Sequence, residues 1–335
     1  MKRQVWVFAG FFLLSALCFP FTLQAAAPYY EGKTMKIIVG HGAGGGYDRM
    51  ARLMAKYLPR YIPGKPVVLV EYVPGASGLI AANQIYNLTK PDGLTIVTVD
   101  RGLPIAQLLK AEGVRFDAAK FSWIGSAAIE GTVLCIRSDL PYKTFGDLLK
   151  AKEPLHLGSV GPANTSHQFP ILLKEFVGLK INLVIYPGSA ESMLAIERKE
   201  ADGRAGSYSS LKPFIQRGLV RPVVRGKVTE SGIENLPVDE DLTTDPKGKA
   251  IMAMRSAGDL MGRPFVAPPG TPPEVMAILR EGFAKVGKDA ELKEEAAKFM
   301  MTVEYVPADE CLKVVNFVLG QPDEIAKEFS KYIKF

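Results

Sequence analysis

The chain has 335 residues, of which 47% are hydrophobic, and 41 basic against 35 acidic residues give a formal net charge of +6. This length exceeds what one hydrophobic core usually serves, so we expect two domains. The basic residues are interspersed with acidic ones and form no basic stripe with interleaved aromatic residues, so we expect no nucleic-acid partner.

The N-terminus has the layout of a secretory signal peptide. Lys2 and Arg3 precede an uncharged stretch that extends to residue 30, and small residues occupy positions 25–27. We predict a signal peptide over residues 1–25, cleavage after residue 25 or 26, and a periplasmic protein. A retained membrane anchor is the alternative, but Pro20 interrupts an apolar run that barely reaches the roughly 20 residues a bilayer requires. Cleavage leaves 39 basic against 35 acidic residues, and this mild excess would help to concentrate small anions.

Cysteine and histidine are scarce. Beyond the predicted signal peptide the chain has two cysteines, Cys135 and Cys311, which lie far apart in sequence. We predict that both are buried thiols and not a disulfide, although an exported protein permits one. The three histidines, at positions 41, 156 and 167, have no metal-ligand spacing, so we expect no metal site.

After residue 33, strand-like segments alternate with amphipathic helical patterns, which favours an α/β architecture with largely parallel sheets. The first series of predicted elements comprises a strand at 35–40, a helix over 47–60, a strand at 66–73, a helix ending at 87, and strands within 91–100, 122–128 and 132–139. We expect the chain to cross into a second domain between the last two of these strands.

The second series repeats the same theme. It comprises strands within 155–161, 181–188, 203–208 and 219–226, with helices over 165–177 and 189–199. Residues 233–249 are rich in acidic residues, Pro and Gly and are predicted to be a return connection. A strand near 263 and several helices follow. We therefore predict two lobes, each a mainly parallel sheet flanked by helices: lobe 1 from residues 28–130 plus 250–335, and lobe 2 from residues 131–249.

Four loops of small and hydroxylated residues lie where predicted strands lead into helices. They are GHGAGGGYD (40–48), VPGASG (73–78), GSVGPANTSHQ (158–168) and YPGSAES (186–192). Ligands of open α/β sheets bind at such strand ends. Free backbone N–H groups at a helix N-terminus attract carboxylates, since the helix dipole places partial positive charge there. The sequence therefore predicts an anion site built from both lobes.

Each loop also has a purely structural interpretation as a tight turn with a helix cap. Asp48 fits the role of a capping carboxylate as well as that of a ligand contact. The rings of Tyr47, Tyr186 and Tyr208 fit either the cleft or the core, and His41 and His167 are more often loop residues than bases.

Dinucleotide binding is the rival interpretation. Gly40-x-Gly42-x-x-Gly45 meets the dinucleotide fingerprint, and the next strand ends in Glu71, an acid of the kind that holds a ribose hydroxyl. An exported oxidoreductase would, however, need to find its cofactor outside the cytoplasm. Hydrolase chemistry is disfavoured because Leu79 stands where a GxSxG motif requires its last glycine.

Two blocks resemble a known family. GGGxDxxAR (residues 44–52) and PGAxG (residues 74–78), together with the order of the surrounding segments, are similar to the periplasmic substrate-binding proteins of tripartite tricarboxylate transporters. The resemblance covers nearly the whole mature chain. It implies a two-lobed periplasmic binding protein fold, a cleft that closes on its ligand, and carboxylates held by loop amides and bridging waters.

The resemblance and the loops together give the predicted ligand-binding residues. They are Ala43, Gly44, Gly45, Gly46, Tyr47, Asp48, Gly75, Ala76, Ser77, Gly78, Gly161, Asn164, Thr165, Ser166, Tyr186, Gly188 and Ser207. The chain departs from the family pattern at His41 and Gly42, where an apolar stretch containing Pro is frequent. It also has no acidic residue within 203–210, where many members carry Asp.

These observations predict a monomeric receptor, without enzymatic activity or cofactor, that captures a small organic carboxylate for delivery to membrane permease subunits. The carboxylate classes considered are di- and tricarboxylates and aromatic acids. The exported oxidoreductase stays open as an alternative, as does a ligand sensor that partners a signalling protein.

Overall fold

A computed structural model describes residues 27–334, so the predicted signal peptide lies outside the described residues. The strands are β1 (Thr34–Val39), β2 (Val67–Tyr72), β3 (Thr95–Thr98), β4 (Ser122–Ser126), β5 (Thr132–Arg137), β6 (Leu155–Ser159), β7 (Ile181–Ile185), β8 (Gly203–Ser207), β9 (Val220–Arg225), β10 (Pro264–Ala267) and β11 (Val306–Pro307). The α-helices are α1 (Gly46–Tyr57), α2 (Leu79–Asn87), α3 (Leu103–Leu108), α4 (Phe145–Leu149), α5 (Thr165–Val177), α6 (Ser189–Glu197), α7 (Tyr208–Gln216), α8 (Pro246–Ala257), α9 (Pro273–Val286), α10 (Ala290–Lys298), α11 (Ala308–Leu319) and α12 (Asp323–Ser330).

Two sheets organise these elements. The first has the strand order β11-β4-β10-β3-β1-β2, and the second has the order β7-β6-β8-β5-β9. Within each sheet the strands joined through helices are parallel, namely β1 with β2 and β3, and β6 with β7 and β8. Their carboxyl ends therefore lie at one edge of each sheet, and the following loops lead into helices.

The two-lobed α/β class is confirmed, but the sheets are mixed and not mainly parallel as predicted. The first sheet has three antiparallel pairings, all involving β4 or β10, and the second has two, both involving β5. The reason is the chain path. A parallel neighbour requires a crossover helix, whereas β4 and β5 follow one another directly from sheet to sheet and β10 enters on the return path.

Side-chain alternation buries both faces of each sheet. In β1, Ile37 and Val39 belong to one apolar cluster, while Ile38 belongs to the cluster on the opposite face. In β5, Leu134 packs into one cluster and Val133 into another. Helices cover all four faces, which holds the strand ends and their loops in fixed positions.

The C-terminal segment contributes to both lobes. Helices α9 and α11 pack on the first sheet, whereas Ile251 and Met252 of α8 and Phe329 of α12 join the cluster that contains Leu134 of the second sheet. Residues 250–335, which the sequence assigned to lobe 1 alone, thus also supply part of the second lobe's core. Apolar side chains spaced along α8 explain this packing, because they face α5 of the second lobe.

Cys135 and Cys311 are both free and fully buried, as predicted. They belong to separate apolar clusters, Cys135 on the second sheet and Cys311 beside the first. Among residues 27–334, no helix has the length and apolarity that a membrane span needs.

Candidate functional site

A cavity of about 390 Å³ lies between the two sheets. Its volume falls within the range of pockets that bind small molecules. The lining comes from both lobes and consists of His41, Gly42, Gly44, Gly45, Gly46, Tyr47, Arg49, Arg101, Asn164, Thr165, Ser189, Ala190, Met193, Leu194, Glu197, Arg204, Gly206, Ser207, Ser210, Leu211, Phe214 and Arg263.

The first lobe presents the N-terminus of α1 to this cavity. Gly45 is the residue that precedes the helix, and the first backbone N–H to bond within the helix is that of Arg49, which donates to the Gly45 carbonyl. The N–H groups of the first turn, from Gly46 to Asp48, precede the helical hydrogen-bond ladder and carry the positive end of the helix dipole. The sequence therefore places amide donors on the cavity wall.

The second lobe presents the N-terminus of α6 from the opposite wall. Its first turn begins at Ser189 after the extended residue Gly188, and Ser192 is the first residue to bond back to Gly188. A Cβ atom placed on Gly45 would lie 3.8 Å from the Ser189 Cβ, and one on Gly44 would lie 3.6 Å from the Ala190 Cβ. The two helix N-termini therefore converge on one space.

Asp48 holds the first glycine loop from behind and does not line the cavity. Its side chain is 3% exposed, and it accepts hydrogen bonds from the Gly44 N–H at 2.7 Å and the Tyr72 hydroxyl at 2.6 Å. Arg52 Nε donates to the same carboxylate at 2.8 Å. Of the two roles considered for Asp48, this geometry favours the loop anchor.

The loops at 73–78 and 158–168 contact each other between the lobes. Ser77 Oγ donates to the Val160 carbonyl at 3.0 Å. The Gly78 N–H donates to the Gly75 carbonyl, and the Gly161 N–H donates to Ser159 Oγ. These two amides are therefore engaged inside the protein and are not free donors for a ligand, in contrast to the expectation from the sequence.

The structure divides the predicted ligand-binding residues into two groups. Those that line the cavity are Gly44, Gly45, Gly46, Tyr47, Asn164, Thr165 and Ser207. Those that do not line it are Ala43, Asp48, Gly75, Ala76, Ser77, Gly78, Gly161, Ser166, Tyr186 and Gly188. Most of the second group anchor the loops or join the lobes.

Four arginines line the cavity that the sequence did not single out: Arg49, Arg101, Arg204 and Arg263. They lie on four separate segments, so no local motif marks them. A signal was available for one of them, because Arg204 lies in the segment 203–210, where the expected acidic residue is missing.

Two of the arginines are neutralised by buried carboxylates. Arg101 Nη2 lies 3.3 Å from Asp259 Oδ1, and Arg263 Nη2 lies 3.0 Å from Glu130 Oε1. Arg101 also reaches Thr132 Oγ1, and Ser209 Oγ donates to Glu130. These groups surround residues 127–131, where the chain passes from the first sheet to the second, and they tie the two lobes together.

Asn164 forms a second connection between the lobes. Its Nδ2 donates to Asp100 Oδ2 at 2.6 Å, while its Oδ1 caps α5 by accepting from the Ser166 N–H. Burial alone would raise the pKa of Asp100, but the His41 ring nitrogen at 3.2 Å and hydrogen bonds from Gly102 and Asn164 outweigh it and lower that pKa. Asp100 is therefore ionised at neutral pH and holds the lobes together.

Tyr47 forms the aromatic part of the cavity wall. Its ring stacks on His41 with 4.7 Å between centroids, and the Arg263 guanidinium lies 4.8 Å from the ring centre. Its hydroxyl accepts from the Arg101 N–H, and burial raises the pKa of this hydroxyl well above its usual range. Tyr47 is therefore a neutral, fixed surface against which a ligand can lie.

The dinucleotide interpretation finds no support in the position of Glu71. Its carboxylate pairs with Lys36 at 2.8 Å, where both side chains are about half exposed near the β2 edge of the first sheet, and it does not line the cavity. Within residues 27–334, no group of three or more His, Cys, Asp or Glu side chains has a metal-binding arrangement.

The family model described as "Tripartite tricarboxylate transporter family receptor" matches residues 50–330. Among curated proteins, the "UPF0065 protein in gbd 5'region" of Cupriavidus necator is 26% identical over 291 residues, which cover 84% of this chain and 83% of that protein.

Solved structures show the same fold. The periplasmic binding protein BugD superposes with a TM-score of 0.76 at 21% identity, over 91% of this chain and 100% of that one. A Rhodopseudomonas palustris protein solved with adipate has a TM-score of 0.74 at 20% identity, over 91% of this chain and 99% of that one.

Proposed function

Since the chain belongs to the tripartite tricarboxylate transporter family of receptors, we propose that it captures a small organic carboxylate between its two lobes. Members of this family are periplasmic substrate-binding receptors and not enzymes. Capture requires only that groups from the two lobes bind the ligand in the cavity between them, and delivery to membrane permease subunits would follow it.

One observation carries this proposal: the N-termini of α1 and α6 approach from opposite lobes and enclose a single cavity. The dipole of each helix stabilises an anion by roughly 0.3–1 kcal/mol, and by up to about 2 kcal/mol where the site is partly buried. Each hydrogen bond to a charged group adds roughly 1.5–3 kcal/mol. A few such contacts from each lobe reach the roughly 8 kcal/mol of micromolar affinity.

The carboxylate class has two supports beyond the amides. The cavity wall carries arginines, whose planar guanidinium groups match carboxylates. A protein of the same fold was solved with adipate, a dicarboxylate. Periplasmic location and a permease partner are supported by the family and by the signal-peptide layout of residues 1–25.

Calorimetric titration of the mature chain, unfolded and refolded to remove any bound ligand, tests the proposal. We expect at least one di-, tri- or aromatic carboxylate to bind with micromolar affinity and to raise the melting temperature, because a ligand that binds only the folded state stabilises it. NAD serves as the comparison ligand. Binding of NAD without binding of any organic acid would overturn the proposal.

A further inference from the structure

The charges on the cavity wall do not balance. Arg101 and Arg263 have carboxylate partners, whereas Arg49 and Arg204 have none within 4.0 Å among residues 27–334. The acidic residue of the described lining is Glu197, which pairs with Arg217 at 3.0 Å. Two guanidinium groups of the cavity therefore have no ion-pair partner among the described residues, although Glu130 and Asp48 act on Arg49 at longer range.

Arg204 is the more deeply buried of the two. It lies on β8, is 5% exposed, and donates only to neutral oxygens: the Ser189 carbonyl at 2.9 Å, Ser189 Oγ at 3.1 Å and the Ala205 carbonyl at 3.2 Å. Burial lowers its pKa to about 10, so the side chain is still a cation at neutral pH. A buried cation without a counter-ion is costly to the folded protein.

The sequence around Arg204 leaves its guanidinium open to the cavity. Gly206, the next residue on the same face of β8, has no side chain, and a Cβ there would lie 3.6 Å from Arg204 Nη2. An acidic residue on this segment would neutralise the arginine, but residues 203–210 contain none. The Ser189 hydroxyl and Ser207 complete a polar surface beside it.

Arg49 lies on the other wall, on the first turn of α1. Its Nη1 donates to the Phe299 carbonyl at 3.3 Å, and its Nε has no hydrogen-bond partner among the described residues. Partial burial and the neighbouring Arg263 lower the pKa of Arg49, and the carboxylates of Glu130 and Asp48 oppose this only in part. Arg49 and Arg204 thus supply one free cation from each lobe.

We propose that Arg49 and Arg204 make this receptor selective for ligands with two separated anionic groups, one bound at each wall of the cavity. This inference rests on the proposed function and names the charge of its ligand. At the first wall the anionic group meets Arg49 and the α1 amides. At the second wall a carboxylate or sulfonate meets Arg204, Ser189 Oγ and the α6 amides. Two ligand charges neutralise the two free guanidinium groups.

The test compares a diacid with the same molecule carrying one neutral end. Adipate and its monoamide are the first pair, and glutarate and succinate with their monoamides cover shorter spacings. We expect the best diacid to bind at least about 30-fold more tightly than its monoamide, because one charge-assisted hydrogen-bond set is lost. Equal affinity for each diacid and its monoamide would overturn the inference and leave the proposed function intact. Absence of any organic-acid binding would overturn both.

Variants identify the residues that produce the preference for a diacid over its monoamide. Arg204→Met retains side-chain length without charge and is expected to weaken diacid binding by about 10- to 100-fold while changing monoamide affinity by less than about threefold. Arg49→Met is expected to act in the same direction with a smaller effect, since Arg49 is less buried. Arg198→Met removes the same charge from an exposed position and is the matched control.

A purely structural role for Arg204 predicts a different pattern. In that case Arg204→Met would lower the melting temperature of the ligand-free protein and weaken diacid and monoamide equally, which would overturn the inference. Arg204→Lys keeps the charge but loses the planar fork, and we expect it to recover part of the preference for the diacid. If Arg204→Met does not fold, Arg49→Met and Arg204→Lys test the proposal through the ratio of diacid affinity to monoamide affinity. A ratio equal to that of the wild type in both variants would contradict the proposal.

Discussion

Asp48 explains how a run of three glycines keeps one conformation. Such a run has high backbone entropy when unfolded and would be mobile without an anchor. The Asp48 carboxylate, on the first turn of α1, accepts a hydrogen bond from the Gly44 N–H just before the helix, and Tyr72 and Arg52 hold the carboxylate in place. The amides of the loop are therefore oriented before a ligand arrives.

We expect Asp48→Asn to lower both stability and ligand affinity. The substitution weakens a buried, charge-assisted hydrogen bond, which costs roughly 1–3 kcal/mol of unfolding free energy. Urea unfolding of the ligand-free protein measures this directly, and Tyr72→Phe, which removes one donor but keeps the carboxylate, should have a smaller effect. Weakened binding with an unchanged unfolding free energy would instead indicate that Asp48 contacts the ligand.

Glu230 lies near the point where the chain crosses between the sheets, and it makes a pH-dependent contribution to the unfolding free energy. Its Oε1 accepts from the Gly131 N–H at 2.6 Å. Burial first, and the nearby Glu130 second, raise the pKa of Glu230 to about 7. The folded protein therefore binds this proton more tightly than the unfolded chain, in which an unperturbed Glu has a pKa of about 4.3.

Because proton binding is linked to folding, the raised pKa of Glu230 makes the unfolding free energy depend on pH. A raised carboxyl pKa contributes stability at low pH, and this contribution is lost as pH rises from the unfolded value to about 7. We expect the unfolding free energy of Glu230→Gln, relative to the wild type, to increase over that range by on the order of 1–3 kcal/mol and then level off. Urea titrations of both proteins from pH 4.5 to 8 measure it. A difference that is constant with pH would contradict the raised pKa.

Single residues of the site were predictable where they belong to local motifs. The glycines and Tyr47 follow β1 directly, and Asn164 and Thr165 start α5. The four arginines of the cavity were not predictable because residues 49, 101, 204 and 263 meet only after two sheets have formed and packed. Asp48 and Ser77 were assigned to the site, although their side chains fix the loops and do not reach the cavity.

At the level of elements, the space around the N-terminus of α1 determines which of its glycines can be replaced by a residue with a side chain. A Cβ at Gly46 would clash with Arg263 Nη2 and Ser210 Oγ. Arg263 directly precedes β10 of the first sheet, and Ser210 lies on α7 of the second lobe. Gly45 has no such neighbour, because its Cβ would meet the Ser189 Cβ at an ordinary contact distance of 3.8 Å. The helix therefore tolerates a side chain at one of these two glycines and not at the other.

We accordingly expect Gly46→Ala to weaken ligand binding by at least about tenfold, since it displaces the guanidinium and keeps the lobes from meeting. Gly45→Ala, with its accessible backbone angles, is the matched comparison and should cost less than about 1 kcal/mol. Calorimetric titration with the same ligand ranks the two variants. Equal losses of affinity would show that the space beside Gly46 is not decisive.

The elements themselves were predictable to different degrees. Helix α5 begins and ends at residues 165 and 177, as predicted, because Asn164 caps its start and Gly178, with a φ of 82°, ends it. Helix α8 was missed, since residues 233–249 were assigned to a connection. Asp245 and Pro246 did signal its start, but the glycine and lysines that follow weaken the apolar periodicity.

At the level of the whole molecule, direct hydrogen bonds join the lobes around the cavity. Ser77 Oγ donates to the Val160 carbonyl, and Asn164 donates to Asp100. These bonds exist only while the lobes are in contact, so they stabilise the arrangement of the lobes described above. A ligand that binds this arrangement more tightly shifts the population further towards it.

Ser77→Ala should therefore weaken ligand binding by about 2- to 10-fold, the value of one neutral hydrogen bond. The variant is also expected to have a larger radius of gyration than the wild type before ligand is added, and solution scattering with and without ligand measures this. Ser231→Ala, at an exposed position, is the control. An unchanged affinity and an unchanged radius would mean that this hydrogen bond does not contribute to closure.

The overall architecture was largely predictable because alternating strands and helices specify an α/β fold locally. The parts that were not predictable depend on chain path: the antiparallel strands arise where the chain changes lobes, and α12 packs on the second lobe although it follows α11 of the first. Sequence periodicity reports which face of an element is buried but not which lobe buries it.

The two isolated thiols give each half of the molecule its own chemical reporter. Cys135 and Cys311 are fully buried, and burial raises the pKa of both, to about 12 for Cys311, so neither reacts with an alkylating reagent while its own core stays intact. The alkylation rate at each sulfur therefore measures how often that half opens on its own. Comparing the two alkylation rates with and without ligand would reveal whether the bound ligand suppresses opening of both halves or of only one.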